Sequence, residues 1–199
     1  MASRPRLLVT GFGAFPGAPE NPTQTLVNED RMERVARLKG VDLIAQVLPV
    51  EYALLGVWRD ALDIVRPDAI LHFGLAARSQ TIRIETKAHN NAAPYRCDAA
   101  GGLPHRIIDP EGPAIRRVNL PVDDLVQAVQ STGLFVRCSV DAGDYLCNAI
   151  LYASLQWCAD NRGAMAGFIH VPGESAERLR PAYEAIVAEM IMRLSRSAA

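Results

Sequence analysis

Three residues of this chain have the types and surroundings of a hydrolytic site. Cys147 lies in Asp141-Ala142-Gly143-Asp144-Tyr145-Leu146-Cys147-Asn148, where a turn of small residues runs straight into an apolar helical pattern. A thiol in the first turn of a helix faces N–H groups without intrahelical partners and the positive end of the helix dipole. Both favour thiolate, so the position predicts a lowered thiol pKa and a nucleophile. His170 stands near the end of Gly167-Phe168-Ile169-His170-Val171-Pro172, a buried-strand pattern. Of the four histidines (His72, His89, His105 and His170) it is the best-placed base, because its strand directly follows the Cys147 helix. In Thr81-Ile82-Arg83-Ile84-Glu85-Thr86 the alternation puts Ile82 and Ile84 on one face and Arg83 and Glu85 on the other. A buried Glu85 would hold the imidazole tautomer and stabilise imidazolium, while the Cys147 backbone N–H would serve a developing oxyanion. Taken singly, each has a plainer reading: a packed core thiol, a structural strand-end histidine, a solvated edge glutamate.

The elements that must position these residues follow from periodicity. Short apolar runs beginning near Leu7, Val41, Ala69, Thr81, Phe135 and Ala166 predict strands. Helical spacing predicts helices over residues 23–38, 52–65 and 121–131, a helix from Cys147 onward, and a C-terminal helix. The last carries the clearest stripe: Leu179, Tyr183, Ile186, Val187, Met190, Ile191 and Leu194. Residues 90–118 lose regular periodicity and fill with Gly and Pro. A stretch of that length is expected to be functional or to hide short strands. Alternating strands and helices predict one α/β domain over residues 1–199, with a mostly parallel sheet covered on both faces. Ligands of such sheets bind beyond the strands' carboxyl ends, where Phe12, Gly74, Glu85 and His170 are all expected.

Composition narrows the partners. The chain has 199 residues, 49% hydrophobic and 22% charged, with net charge −1. That balance gives no electrostatic reason to expect nucleic acid or an anionic membrane. No apolar run approaches the roughly 20 residues of a membrane span. The start, Met1-Ala2-Ser3-Arg4-Pro5-Arg6, leads into only a short apolar run, which predicts a cytoplasmic protein without a secretory signal. Cys97, Cys138, Cys147 and Cys158 show no CxxC spacing and no cysteine–histidine cluster, so no metal site and no thioredoxin-like pair is expected. On one helix Cys147 and Cys158 stand about 16 Å apart, too far to bridge.

Five segments carry a resemblance. They are Thr10-Gly11-Phe12-Gly13-Ala14-Phe15 with Asn21-Pro22-Thr23; Leu48-Pro49-Val50; Ile84-Glu85-Thr86-Lys87-Ala88-His89-Asn90; Ala142-Gly143-Asp144-Tyr145-Leu146-Cys147-Asn148; and Phe168-Ile169-His170-Val171-Pro172. In this order and at these intervals they resemble pyroglutamyl peptidase type I, the pyrrolidone-carboxylate peptidase family of cysteine exopeptidases. The resemblance runs nearly end to end. It implies a three-layer α/β/α sandwich with a mostly parallel mixed sheet, related to purine nucleoside phosphorylases. It also implies a Cys147–His170–Glu85 triad, no cofactor, a peptide substrate with N-terminal pyroglutamate, a cytoplasmic location, and a homotetramer or dimer. For the substrate pocket it implies Phe12 and Phe15, sandwiching a lactam ring, with Asn21, Leu75, Tyr145 and Leu146. Arg96 is the oxyanion candidate, one position beyond the family's spacing. The chain departs from the pattern at Leu75, where the family has Gln, at Thr86, where it has Arg, and across residues 90–98. Two other readings use the same residues: a cysteine amidohydrolase for another small cyclic or N-acyl amide, and an inactive ligand-binding homologue.

Overall fold

The computed structural model describes residues 4–29 and 31–197, so Met1–Ser3 of the N-terminal reading lie outside the described residues. In chain order the elements are β1 (Arg6–Phe12), α1 (Pro22–Asn28), α2 (Glu33–Leu38), β2 (Asp42–Leu48), α3 (Leu54–Val65), β3 (Ala69–Leu75) and β4 (Ile82–Glu85). There follow β5 (Lys87–His89), β6 (Ile115–Arg117), α4 (Val122–Gln130), β7 (Val136–Ser139), α5 (Leu146–Asp160), β8 (Met165–Val171) and α6 (Ala176–Ser197). Six strands form one sheet in the order β2-β1-β3-β8-β4-β7. All its neighbours pair in parallel except β4 and β8, which pair antiparallel.

The period-2 alternation of the strands builds a core on each face. Leu7, Val9, Leu71, Phe73, Ile82, Ile84, Ile169 and Val171 pack against α1, α4 and α6. Leu8, Phe12, Ile70 and Phe168 face the other way, onto α3 and α5. Apolar side chains on both faces are why the strands read as continuous apolar runs. α5 is buried around most of its circumference, because the antiparallel β5–β6 ribbon covers the side that the sheet and α3 leave open. That ribbon accounts for the short strands expected beside the irregular segment. Among the described residues no helix is long and apolar enough to cross a membrane.

Two expectations are corrected. The helix expected over residues 23–38 is two helices, α1 and α2. Leu26 and Val27 carry the buried stripe of α1, but the positions three and four further on are Glu29, Asp30 and Arg31, and a helix cannot bury those. The second correction concerns β4. Its antiparallel pairing with β8 turns its carboxyl end, with that of β7, away from those of β1, β2, β3 and β8, so Glu85 is not at the sheet edge that holds the end of β8, where it was expected.

Candidate active site

β8 lies in the middle of the sheet, between β3 and β4. Its register sets Gly74 beside His170 on one side and Arg83 beside His170 on the other. Because Ile82 and Ile84 face α6, Arg83 and Glu85 face α5, as does His170. Glu85 therefore reaches His170 diagonally across the ladder, from a depth at which its carboxylate is 0% exposed. His170 Nδ1 lies 2.8 Å from Glu85 Oε1. A carboxylate only accepts, so the imidazole proton sits on Nδ1 and the lone pair on Nε2.

Cys147 is the second residue of α5. Gly143, at φ +85, makes the preceding turn, and Tyr145 caps the helix in extended conformation without a side-chain cap bond. Asn148 fixes the helix start: its Nδ2 donates to the carbonyls of His89 and Asn91 at 2.8 and 2.9 Å, and its Oδ1 accepts from the His89 amide at 2.9 Å. The sulfur packs over Gly74, where a Cβ would lie 3.1 Å from Sγ and 2.5 Å from Cζ of Phe168. Only glycine leaves this space.

Electrostatics correct the expectation of a lowered thiol pKa. Burial pushes the Cys147 thiol up to about 12, against the opposing pull of Arg96, its own backbone N–H and Arg83. The residue as a whole is half-buried, since it opens on a cavity. Protein atoms nonetheless crowd the sulfur closely enough for desolvation to outweigh the helix start. Burial likewise lowers His170 below the ordinary 6.5; Glu85 opposes this and Arg83 adds to it. The resting pair is thus thiol and neutral imidazole, with no hydrogen bond between them. It is not a preformed ion pair.

The cavity over Cys147 has a volume of about 140 Å³. Phe12, Phe15, Asn21, Leu75, Tyr145, Leu146 and Arg96 all line it together with Cys147 and His170, while Glu85 lies behind His170. Phe12 stacks on Phe168 at 6.2 Å, and the Phe168 ring meets that of His170 at 4.6 Å, tilted by 43°. The polar atoms of Asn21 are engaged elsewhere. Its Oδ1 accepts from the Thr23 amide and hydroxyl, and its Nδ2 donates to the Gly13 carbonyl, so it shapes the loop that carries Phe15. Arg96 lies 4.1 Å above the Tyr145 ring and 3.7 Å from Asp144. A wider cleft of about 560 Å³ lies beyond Tyr52, lined by Leu55, Leu103 and Ile107, and holds none of Cys147, His170 and Glu85.

Sequence reasoning missed two residues of this site. Arg83 touches both Glu85 and His170, and its shared face with Glu85 was the available signal. Asn148 was seen only as part of a motif, and nothing local reveals that its amide reaches the chain 59 residues away.

A thiol and a carboxylate-braced imidazole on one cavity are the residue types with which cysteine hydrolases attack carbonyl carbon. On this α/β/α sandwich the arrangement defines a cysteine-type hydrolase. Comparison with known proteins narrows the class. A family model for pyroglutamyl peptidase matches residues 5–181. The pyrrolidone-carboxylate peptidase of Clavibacter michiganensis subsp. michiganensis is 33% identical over 180 residues, covering 88% of this chain and 82% of its own. That of Levilactobacillus brevis is 34% identical over 174 residues, covering 84% and 81%. A solved mutant pyrrolidone carboxyl peptidase from P. furiosus matches with a TM-score of 0.85 at 27% identity, covering 94% of this chain and 98% of that one. The chain belongs to the pyroglutamyl peptidase family.

Proposed function

We propose that the protein removes an N-terminal pyroglutamyl residue from peptides, with Cys147, His170 and Glu85 as its triad. The observation that carries this reading is the 2.8 Å contact between Glu85 and His170 at the wall of the cavity that holds Cys147. Cys147 Sγ attacks the carbonyl joining pyroglutamate to the next residue as its proton passes to His170 Nε2. The Cys147 backbone N–H donates to the oxyanion, with Arg96 as the nearby cation. Collapse expels the amine, which takes the proton from the imidazolium and leaves a thioester. Water, deprotonated by His170, then releases pyroglutamate and restores the thiol. The flat, uncharged lactam fits the slot formed by Phe12, Phe15, Tyr145 and Leu146. The same reading treats residues 1–199 as one domain that works in the cytoplasm as a homo-oligomer. The four free thiols fit a reducing compartment.

Turnover of a pyroglutamyl-aminocoumarin substrate tests this. Wild type cleaves it, and Cys147→Ala loses at least about 10³-fold in kcat. Equal turnover by both sinks the proposal. A second reading, an amidohydrolase for another small cyclic or N-acyl amide, is favoured by Leu75, which sets an apolar side chain in the cavity wall, and by the departure across residues 90–98. Hydrolysis of another small cyclic or N-acyl amide, lost in Cys147→Ala, without pyroglutamyl turnover would select it.

A further inference from the structure

Arg83 lines the cavity but takes no part in the steps above. It stands directly across the ladder from His170. Its Nε lies 3.3 Å from Glu85 Oε1 and its Nη2 lies 3.2 Å from His170 Nδ1. The side chain is 21% exposed, and its buried Nε has no hydrogen-bond partner. His170 Nδ1 cannot both donate to Glu85 and accept from Arg83. The shorter contact, to a carboxylate, takes the proton, so Arg83 presents a cation to the ring N–H rather than a hydrogen bond. An imidazolium formed there is repelled across 3.2 Å.

We propose that Arg83 is a positioning residue that holds Glu85 against the imidazole and keeps His170 neutral between turnovers. His170 is then available as a base, and its imidazolium readily gives its proton to the leaving amine. The charged and titratable groups around His170 are Glu85 and Arg83 from β4, Asp141 from the turn after β7, Cys147 at the start of α5, and, across the cavity, Arg96, Asp144 and Tyr145. Of these, Arg83 is the cation in contact. The inference rests on the triad reading but not on the identity of the substrate.

The test is an NMR titration of isotope-labelled histidine in wild type, Arg83→Gln, Arg83→Met and Arg83→Lys, with the His170 signal assigned by its loss in His170→Asn. In Arg83→Gln the imidazole midpoint rises by about one pH unit, and the acid limb of kcat/KM rises with it. Arg83→Lys keeps the charge and stays near wild type. Arg83→Met preserves the apolar stem, shows the same rise, and serves should the Gln variant not fold. A midpoint unchanged in both neutral variants overturns the proposal, as does a rise in Arg83→Lys equal to that in Arg83→Gln. If the midpoints behave as stated but wild type does not cleave the pyroglutamyl substrate, the peptidase reading fails and the role of Arg83 stands.

Discussion

Two forces meet at the sulfur of Cys147. The helix start favours thiolate, and burial favours thiol more strongly. The balance depends on how closely the cavity wall approaches, and Gly74 sets that approach. Gly74→Ala places a methyl group against the Phe168 ring, which is fully buried and has no room to turn, and against the sulfur. This variant is expected to lower kcat/KM for the pyroglutamyl substrate at least about 10-fold, because a small displacement of a reacting atom is costly, and to lower the melting temperature. Wild-type kinetics in a folded Gly74→Ala protein would contradict this account of the cavity. The identities of Cys147, His170 and Glu85 were legible as residues, from a turn-to-helix junction, a strand end and an alternation. The ionisation states of Cys147 and His170 were not, since desolvation is set by atoms from segments far apart in the chain.

At the scale of elements, α5 is the part on which the site depends. Its first turn carries Cys147, and two turns further along it Ser154 Oγ accepts from Trp58 Nε1 on α3 at 2.8 Å and meets His72 Nε2 on β3 at 2.9 Å. His72 Nδ1 meets Thr10 Oγ1 on β1 at 2.6 Å. This chain of buried polar groups joins the helix to the two strands beneath it. Ser154→Ala strands Trp58 Nε1 and His72 Nε2 without partners. It is expected to destabilise the fold by about 1–3 kcal/mol, read as a lower denaturant midpoint at unchanged slope; an unchanged midpoint would show that the network contributes nothing. The strands and most helices were legible from their periods. The break between α1 and α2 was legible only in hindsight, from the polar run at residues 28–31. β6 was invisible, because three residues paired with the three of β5 leave no periodic trace.

For the whole molecule, the buried histidines set the response to acid. Burial pushes His72 down to about 3 from its ordinary 6.5, and His170 is lowered too. As pH falls below 6.5 the unfolded chain takes up a proton at each site before the folded chain does. Stability is therefore lost toward acid, by up to about 1.4 kcal/mol per pH unit for each histidine. Urea midpoints measured at several pH values between neutrality and pH 4.5 are expected to fall steadily; a flat profile would mean that the two imidazoles are hydrated. The sequence by itself determined the class of fold, the family and the residues of the candidate site, because periodicity and motif order are local properties of the chain. Only the tertiary structure decided that β4 runs against β8. That reversal brings Arg83 beside His170 and sinks Glu85 behind it, because strand direction within a sheet comes from pairing between segments far apart in sequence, which no local pattern records.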